Sequence, residues 1–201
     1  MQSLGINIGS SSIKVVLLED ERARWETVVA HEGNFIETLK NILLERQVPA
    51  GVPSLVTGTE GRFLLNINNV LESICVEEAL NRLGLKVDAS VSLGGENFVV
   101  YTIDENGKII TSFSGNKCAS GTGEFFKQQL GRMDLRLADV ASVPDTAVVC
   151  HMSSRCSVFM KSDCTHKLNK GEATKADIVM SLSDVISTKV SDFLKRARIK
   201  S

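Results

Sequence analysis

Two of the five cysteines stand where a thiolate could bind a metal. Cys118 lies in the glycine-rich segment 117–123, which leads into a helical pattern, and Cys156 follows two serines and an arginine in front of another helical pattern. A helix N-terminus offers unpaired backbone N–H groups and a partial positive charge, so it favours thiolate over thiol. Two thiolates at two helix N-termini would supply half of the ligands of a metal cluster.

The other three cysteines give weaker signals. A free cysteine is usually a small buried apolar residue, and Cys75, in a helical run, and Cys150, at the end of an apolar run, fit that description. Cys164 is undecided because His166 follows it two places later. No Cys-x-x-Cys occurs, so local spacing predicts neither a zinc ribbon nor a ferredoxin-type loop.

A second kind of chemistry is indicated near the N-terminus, where small residues form the predicted tip of a β-hairpin. The tip comprises Gly9, Ser10, Ser11 and Ser12, and Lys14 follows in the returning strand. Such a tip exposes backbone N–H groups without bulky side chains and can cradle a phosphate, to which the lysine adds a point charge. A glycine-serine turn without any ligand fits the same pattern.

The elements that would position these residues repeat once along the chain. Three strands and a helix open the first lobe, 1–88, and a similar order opens the second, 89–201, which predicts an α/β protein of two lobes. The first hairpin of the second lobe carries Gly94, Gly95 and Glu96. Two phosphate-binding hairpins would then face each other across a cleft.

The C-terminal part of the second lobe is predicted to be mainly helical. A short strand is expected within 145–151, because its apolar run resembles a buried strand, and a long amphipathic helix over 173–198.

The composition narrows the function classes. The 201 residues can bury a sizeable core, and a net charge of −1 gives no general attraction to nucleic acid or anionic lipid. No apolar run reaches the ~18 residues of a membrane span, and no secretion signal is evident. Five cysteines are an odd number, so the expected location is a reducing cytoplasm.

Four motifs, in this order, resemble one family. They are Gly-x-x-x-Gly-Ser-Ser-Ser-x-Lys at 5–14, Leu-Gly-Gly-Glu at 93–96, Lys-Cys-Ala-Ser-Gly-Thr-Gly at 117–123 and Ser-Ser-Arg-Cys-Ser-Val-Phe at 153–159. They are similar to motifs of the ATP-dependent activators of 2-hydroxyacyl-CoA dehydratases and of the ATPase subunits of benzoyl-CoA reductase. The resemblance covers essentially the whole chain.

The resemblance implies an actin/hexokinase-like ATPase fold with two ribonuclease-H-like lobes. It implies that the two hairpins bind ATP or ADP with Mg²⁺. In that family a homodimer holds one four-iron four-sulfur cluster between its subunits, with two cysteines from each, and Cys118 and Cys156 match those positions. Nucleotide-driven lobe movement would change the angle between the cluster-bearing helices, coupled to electron transfer to a dehydratase or reductase component of anaerobic metabolism.

The chain also departs from the family. Asn7 stands where an Asp usually helps to hold the water shell of magnesium, and Ser92-Leu-Gly-Gly-Glu-Asn97 replaces Asp-x-Gly-Gly-Gln-Asp. Phosphoryl transfer depends on metal and charge placement, so little ATP hydrolysis is expected. The family continues with an adenosine-binding strand and loop beyond the point where this chain ends. The resemblance therefore suggests a fragment or module with a truncated second lobe.

Three functions remain open at this stage. The first is an ATP-dependent activator, or a module derived from one. The second is a non-catalytic ATPase-like module kept for packing or for docking a partner, which Asn7 and Ser92 favour. The third is a sugar or acid kinase of the same fold, which would require a carboxylate base in the cleft and lacks support because no well-placed Asp follows the second hairpin.

Overall fold

The computed structural model of the protein describes residues 1–59, 62–63, 65–115, 121–153 and 156–199. The chain divides into two compact units, Met1–Lys86 (the N-terminal unit) and Val87–Ser201 (the C-terminal unit).

The N-terminal unit is a four-stranded sheet with helices. Its elements are β1 (Gln2–Ile8), β2 (Ser12–Glu19), β3 (Arg22–Ala30), α1 (Phe35–Glu45), β4 (Ser54–Gly58) and α2 (Glu72–Arg82). The strand order is β3-β2-β1-β4, in which β1, β2 and β3 form an antiparallel meander and β4 runs parallel to β1. The antiparallel meander predicted from the sequence is therefore present.

Strand alternation decides which face of this sheet forms the core. Successive side chains of a strand point to opposite faces, so every second residue of β1 and β2 is buried on the same side. These residues pack with two residues of α1 and one of β4 in a core made of Leu4, Ile6, Ile8, Ile13, Val15, Leu17, Leu39, Ile42 and Val56. The residues between them, among which are Asn7 and Lys14, belong to the other face.

The C-terminal unit begins with a second meander and continues with helices. Its elements are β5 (Ala89–Leu93), β6 (Phe98–Ile103), β7 (Ile109–Ser114), α3 (Gly123–Arg132), a 3-10 helix (Leu137–Ser142), α4 (Ser157–Asn169) and α5 (Lys175–Arg196). The sheet has the antiparallel order β5-β6-β7. Its helical core is formed by Phe125, Phe126, Leu130, Met133, Met152, Met160, Cys164, Ile178, Val179, Leu182 and Val185.

Helix α5 supports this core along its apolar stripe. It begins with a capping box in which the Thr174 hydroxyl accepts a hydrogen bond from Asp177 N–H and the Asp177 carboxylate accepts one from Thr174 N–H. Ile178 and Leu182 are almost completely buried. None of the helices within the described ranges combines the length and apolarity that crossing a membrane requires.

The prediction of a strand within 145–151 is wrong. Cys150 and Val148 use their backbone N–H groups as alternate residues of a strand would, but the acceptors are side chains of α5. Val148 N donates to Asp177 Oδ1 at 2.7 Å, and Cys150 N donates to Ser181 Oγ at 2.7 Å. Because residues four apart lie on one face of a helix, α5 takes the place of a partner strand.

Candidate functional site: two glycine hairpins and a cysteine helix

The turn between β1 and β2, residues 9–12 (hairpin 1), brings the predicted phosphate-binding residues together. Gly9 N donates to Ser12 O at 2.9 Å, which closes the turn. In the β1–β2 register Asn7 lies opposite Lys14. A β-carbon on Gly9 would lie 3.0 Å from Ser12 O, 3.6 Å from Lys14 Nζ and 3.8 Å from Asn7 Oδ1. The lysine ammonium and the asparagine amide oxygen therefore converge on the tip of hairpin 1.

The chemistry of this arrangement suits an oxyanion. Lys14 is exposed, and its Nζ lies 3.2 Å from Ser12 Oγ, so the charge is held beside the tip. The side chains of Ser10, Ser11 and Ser12 are small enough to leave the backbone accessible, and all three residues are half-buried. Asn7 can accept a hydrogen bond from a water molecule, but it carries no charge to attract a cation.

Thr57, at the end of β4, is a polar residue of this region that the sequence patterns did not indicate. It lies opposite Asn7 in the parallel β1–β4 register and lines a cavity of about 420 Å³ together with Asn7 and Lys14. Its Oγ1 is buried and has no hydrogen-bond partner within the described part of the chain. A buried hydroxyl without a partner destabilises a fold, so this position carries an uncompensated polar group.

The corresponding turn of the C-terminal unit, residues 94–97 (hairpin 2), closes in the same way. Gly94 N donates to Asn97 O at 2.8 Å. The carbonyl groups of hairpin 2 are bound by the first turn of α3, because Gly123 N donates to Gly94 O at 3.1 Å and Glu124 N donates to Gly95 O at 2.8 Å. Hairpin 2 is thus hydrogen-bonded directly to a helix.

This contact corrects one expectation from the sequence. The N-terminus of α3 was expected to offer free amides to a thiolate or another anion. Gly123 and Glu124 donate to hairpin 2 instead, and Phe125 N donates to the Thr122 hydroxyl at 3.4 Å. These three amides are already used, so they are not free to bind a thiolate or another anion.

Glu96 occupies the exposed side of hairpin 2. Glu96 and Asn97 contribute to the wall of a cavity of about 820 Å³, which is also lined by Ser181, Asp184 and Lys189 of α5. Both acidic and basic side chains thus line this cavity.

Of the two predicted cluster ligands, the structure describes Cys156. Cys118 lies outside the described residues. Cys156 is the N-cap residue of α4, is half-buried, and makes no side-chain capping hydrogen bond. Cys75 and Cys150 are half-buried free thiols. In the described portion of the chain no three His, Cys, Asp or Glu side chains are grouped to hold a metal ion.

Cys164 is a buried core thiol. Its Sγ lies 3.5 Å from Met152 Sδ. Burial, together with the smaller effect of the neighbouring Asp163 carboxylate, raises the pKa of the Cys164 thiol to about 11. At neutral pH the thiol is therefore protonated, and Cys164 packs as a buried core side chain.

The fold defines a class of protein. Two units that each begin with a glycine-tipped hairpin in an antiparallel meander are those of an actin/hexokinase-like ATPase fold. The chain superposes with a TM-score of 0.87 on the activator of 2-hydroxyisocaproyl-CoA dehydratase from Clostridium difficile, solved with bound ADPNP. The two are 23% identical, and the match covers 100% of this chain and 77% of that one.

Sequence comparison gives the same result along nearly the whole chain. An uncharacterised protein of Methanocaldococcus jannaschii is 28% identical over 98% of this chain and 82% of its own length. The (R)-2-hydroxyglutaryl-CoA dehydratase activating ATPase of Acidaminococcus fermentans is 26% identical over 98% of this chain and 78% of its own length. No family model matches the chain. The chain therefore resembles the activators of 2-hydroxyacyl-CoA dehydratases in both sequence and fold.

Proposed function

We propose that this protein is an ATP-dependent activator of a 2-hydroxyacyl-CoA dehydratase, or of a related reductase component, and that it acts in the cytoplasm. The observation that carries the proposal is hairpin 1, where Lys14 Nζ and Asn7 Oδ1 converge on Gly9. The fold is that of an activator whose structure contains the ATP analogue ADPNP. In this proposal the nucleotide phosphates bind at Gly9, Ser10, Ser11, Ser12 and Lys14.

We also propose that hairpin 2 of the C-terminal unit, with Gly94, Gly95 and Glu96, binds nucleotide. Asn7 would accept a hydrogen bond from the water shell of Mg²⁺, which enters with the nucleotide and offsets phosphate charge. Because Asn7 is neutral and hairpin 2 carries the carboxylate of Glu96, we expect nucleotide binding with slow hydrolysis.

The hydrogen bonds between hairpin 2 and α3 give the nucleotide a route to the cysteine segment. Gly123 and Glu124 hold the carbonyl groups of hairpin 2, and Cys118 stands five residues before Gly123 in the sequence. A shift of hairpin 2 on nucleotide binding must either break these two hydrogen bonds or move the start of α3. We propose that α3 moves, which would couple the nucleotide state to the segment that carries Cys118.

Cys118 and Cys156 are the proposed ligands of an iron–sulfur cluster. The geometry of Cys156 fits this role, since its thiol is half-exposed at the start of α4 and is not used as a cap. A cubane cluster takes four cysteine ligands, so two chains related by a two-fold axis would complete the set. The cluster would supply a one-electron carrier, and the protein would supply its thiolates and its docking surface for the dehydratase component.

Nucleotide binding is tested by titrating the protein with fluorescent mant-ADP and Mg²⁺. Lys14→Met should weaken binding about tenfold or more, because it removes the charge beside the phosphates. Lys40→Met is the matched control, since Lys40 is an exposed lysine of the same unit that pairs with Glu37. Wild-type protein that binds no mant-ADP, or equal effects of the two substitutions, would refute the nucleotide site.

Cluster binding is tested by anaerobic reconstitution with iron and sulfide, followed by size exclusion. Cluster absorbance should elute with a dimer, and Cys118→Ser or Cys156→Ser should abolish both the absorbance and the dimer. Cys75→Ser, which alters a half-buried cysteine of α2, should change neither. A cluster retained by a monomer or by either of the first two variants would show that the ligands are assigned wrongly.

The second candidate is a non-catalytic module that docks a partner, favoured by the neutral Asn7 where the activators carry Asp. Phosphate release with Mg²⁺ should be close to background in the wild type. If the protein is a weakened ATPase, Asn7→Asp should raise the rate, and Lys14→Met should remove the gain. If Asn7→Asp protein binds nucleotide but gains no turnover, the non-catalytic candidate is supported.

A further inference from the structure

His31, which no sequence pattern singled out, is bonded to hairpin 1 on two sides. The residue is only 7% exposed. Its Nε2 lies 3.0 Å from Gly9 O, and its backbone N donates to Ser11 O at 3.2 Å. The imidazole therefore holds the start of the tip, and the main chain holds its middle.

The turn that follows β3 fixes the ring from the other side. Gly33 N donates to His31 Nδ1 at 3.0 Å, and Asn34 N closes the turn by donating to His31 O at 2.6 Å. Glu32 and Gly33 both have positive φ values, 46° and 87°, which turn the Gly33 N–H back toward the ring. Phe35 packs edge-on against the imidazole at a centroid distance of 6.0 Å.

These partners determine which ring nitrogen carries the hydrogen. A carbonyl oxygen only accepts, so Nε2 must carry the hydrogen that bonds to Gly9 O. The Gly33 N–H only donates, so Nδ1 must be unprotonated. Both conditions are met by the neutral Nε2–H tautomer alone. His31 is thus a fully satisfied buried polar group whose sole ring donor is directed at hairpin 1.

We propose that His31 is a positioning residue that holds hairpin 1 in the conformation that binds phosphate. The proposal rests on the proposed nucleotide function of hairpin 1. The ring contacts the chain and not the nucleotide, and it acts by ordering the tip before binding. A tip that must be ordered by its ligand binds more weakly than one already in place. Losing the imidazole also leaves the Gly9 carbonyl without its bond from His31.

The test compares two substitutions at this position by mant-ADP titration in the presence of Mg²⁺. His31→Leu fills the space with an apolar side chain but removes both ring bonds, and we expect affinity to fall about tenfold. His31→Gln retains an N–H donor that can reach Gly9 O, and we expect affinity within about threefold of the wild type.

Leu39→Ala is the control for a purely structural effect. Leu39 belongs to the core of the same unit, at α1, and is 4% exposed. Its substitution should destabilise the unit at least as much as His31→Leu, but leave mant-ADP affinity within about twofold at a temperature where every variant is folded. Equal affinity of His31→Leu and wild type, or an equal loss in Leu39→Ala, would overturn the proposal.

A direct measurement on the wild type remains decisive even if His31→Leu does not fold. The chain has three histidines, so long-range proton–nitrogen NMR spectra can assign each ring with His151→Gln and His166→Gln variants. His31 should show the neutral Nε2–H tautomer, and its Nε2 proton should exchange more slowly when ADP is bound. The Nδ1–H tautomer would overturn the proposal, because Nε2 could not then donate to Gly9 O. Wild-type protein that binds no mant-ADP but shows the Nε2–H tautomer would refute the nucleotide function and leave the geometry intact.

Discussion

Hairpin 1 and hairpin 2 are closed by the same hydrogen bond but supported in different ways. In each, a glycine N–H donates to the carbonyl three residues later, at 2.9 Å and 2.8 Å. Hairpin 1 is held by the imidazole of His31, and hairpin 2 by the Gly123 and Glu124 amides. A side chain can yield without moving a helix, whereas the amides of α3 cannot. Movement at the tip of hairpin 2 should therefore be transmitted to α3, whereas movement at the tip of hairpin 1 should stay local.

The sheets differ in a related way. In the N-terminal unit β1 is paired on both sides, by β2 and by the parallel β4. In the described part of the C-terminal unit β5 is paired with β6 alone. The backbone before hairpin 1 is consequently enclosed by two strands. Hairpin 1 is therefore supported by strands on both sides of β1, whereas hairpin 2 is supported by its contact with α3.

The largest expected effect tests this difference with two glycines. A β-carbon at Gly58 would lie 2.2 Å from Ile8 O, and its φ of 110° strains any other residue. Ile8 O cannot retreat easily, because Thr59 N and Thr59 Oγ1 both donate to it, at 2.7 Å and 3.0 Å. Gly58→Ala should cost about 3 kcal/mol or more of unfolding free energy.

Gly123→Ala is the matched change at hairpin 2. Its β-carbon would lie 3.0 Å from Gly94 O, a contact that a small shift relieves, so we expect a loss of about 1 kcal/mol or less. Urea unfolding, followed by far-UV circular dichroism and by the fluorescence of Trp25 in the N-terminal unit, measures both. A larger loss of unfolding free energy for Gly123→Ala than for Gly58→Ala would contradict the proposed difference in how the two hairpins are supported.

Much of this architecture was accessible from local patterns in the sequence. Small residues at 9–12 and 94–95 indicated turns, and the alternation of β1 and β2 gave the strands that flank them. The role of His31 could not be read in this way, because a histidine at the end of a strand has no local signal and its acceptor, Gly9, is remote in sequence. The same holds for the amides of α3.

The segment at 145–151 shows why a correct local pattern can still give the wrong element. Alternate N–H groups pointing one way are a property of extended backbone, and the apolar run predicted that much. Whether such a segment becomes a strand depends on what lies beside it. Here the acceptors are Asp177 and Ser181, four residues apart on α5, and nothing near 145–151 in the sequence reveals them.

The second prediction contrasts one buried hydroxyl from each unit. Ser181 Oγ donates to Asp177 O at 2.6 Å and accepts from Cys150 N at 2.7 Å, whereas Thr57 Oγ1 has no partner among the described residues. Ser181→Ala leaves a backbone N–H unpaired and should cost about 1–2 kcal/mol. Thr57→Val removes an unpaired hydroxyl and should stabilise by about 0.5–1 kcal/mol. Chemical denaturation measures both, and a destabilising Thr57→Val would mean that this hydroxyl has a partner.

The smallest expected effect is the pH dependence of stability, which should arise from the Asp177 carboxylate in the C-terminal unit. Asp177 accepts hydrogen bonds from the Thr174 hydroxyl, from Val148 N and from Thr174 N, and these bonds, in that order, hold the pKa of its carboxyl below the usual range. A lowered folded-state pKa means that the carboxylate stabilises the fold fully above the pKa of unfolded Asp. This contribution is lost as the pH falls through the folded-state pKa.

Because Asp177 lies at the surface, we expect only a modest fall in melting temperature in acid, arising in the C-terminal unit. Asp177→Asn should melt lower than the wild type near neutral pH, and the two should converge as the pH drops below the ordinary range of aspartate. Amide hydrogen exchange at Val148, compared with Cys150, locates the effect, since Ser181 does not titrate and should keep Cys150 protected. If the difference between the two proteins persisted unchanged in acid, the charge on Asp177 would not be what holds the extended segment against α5.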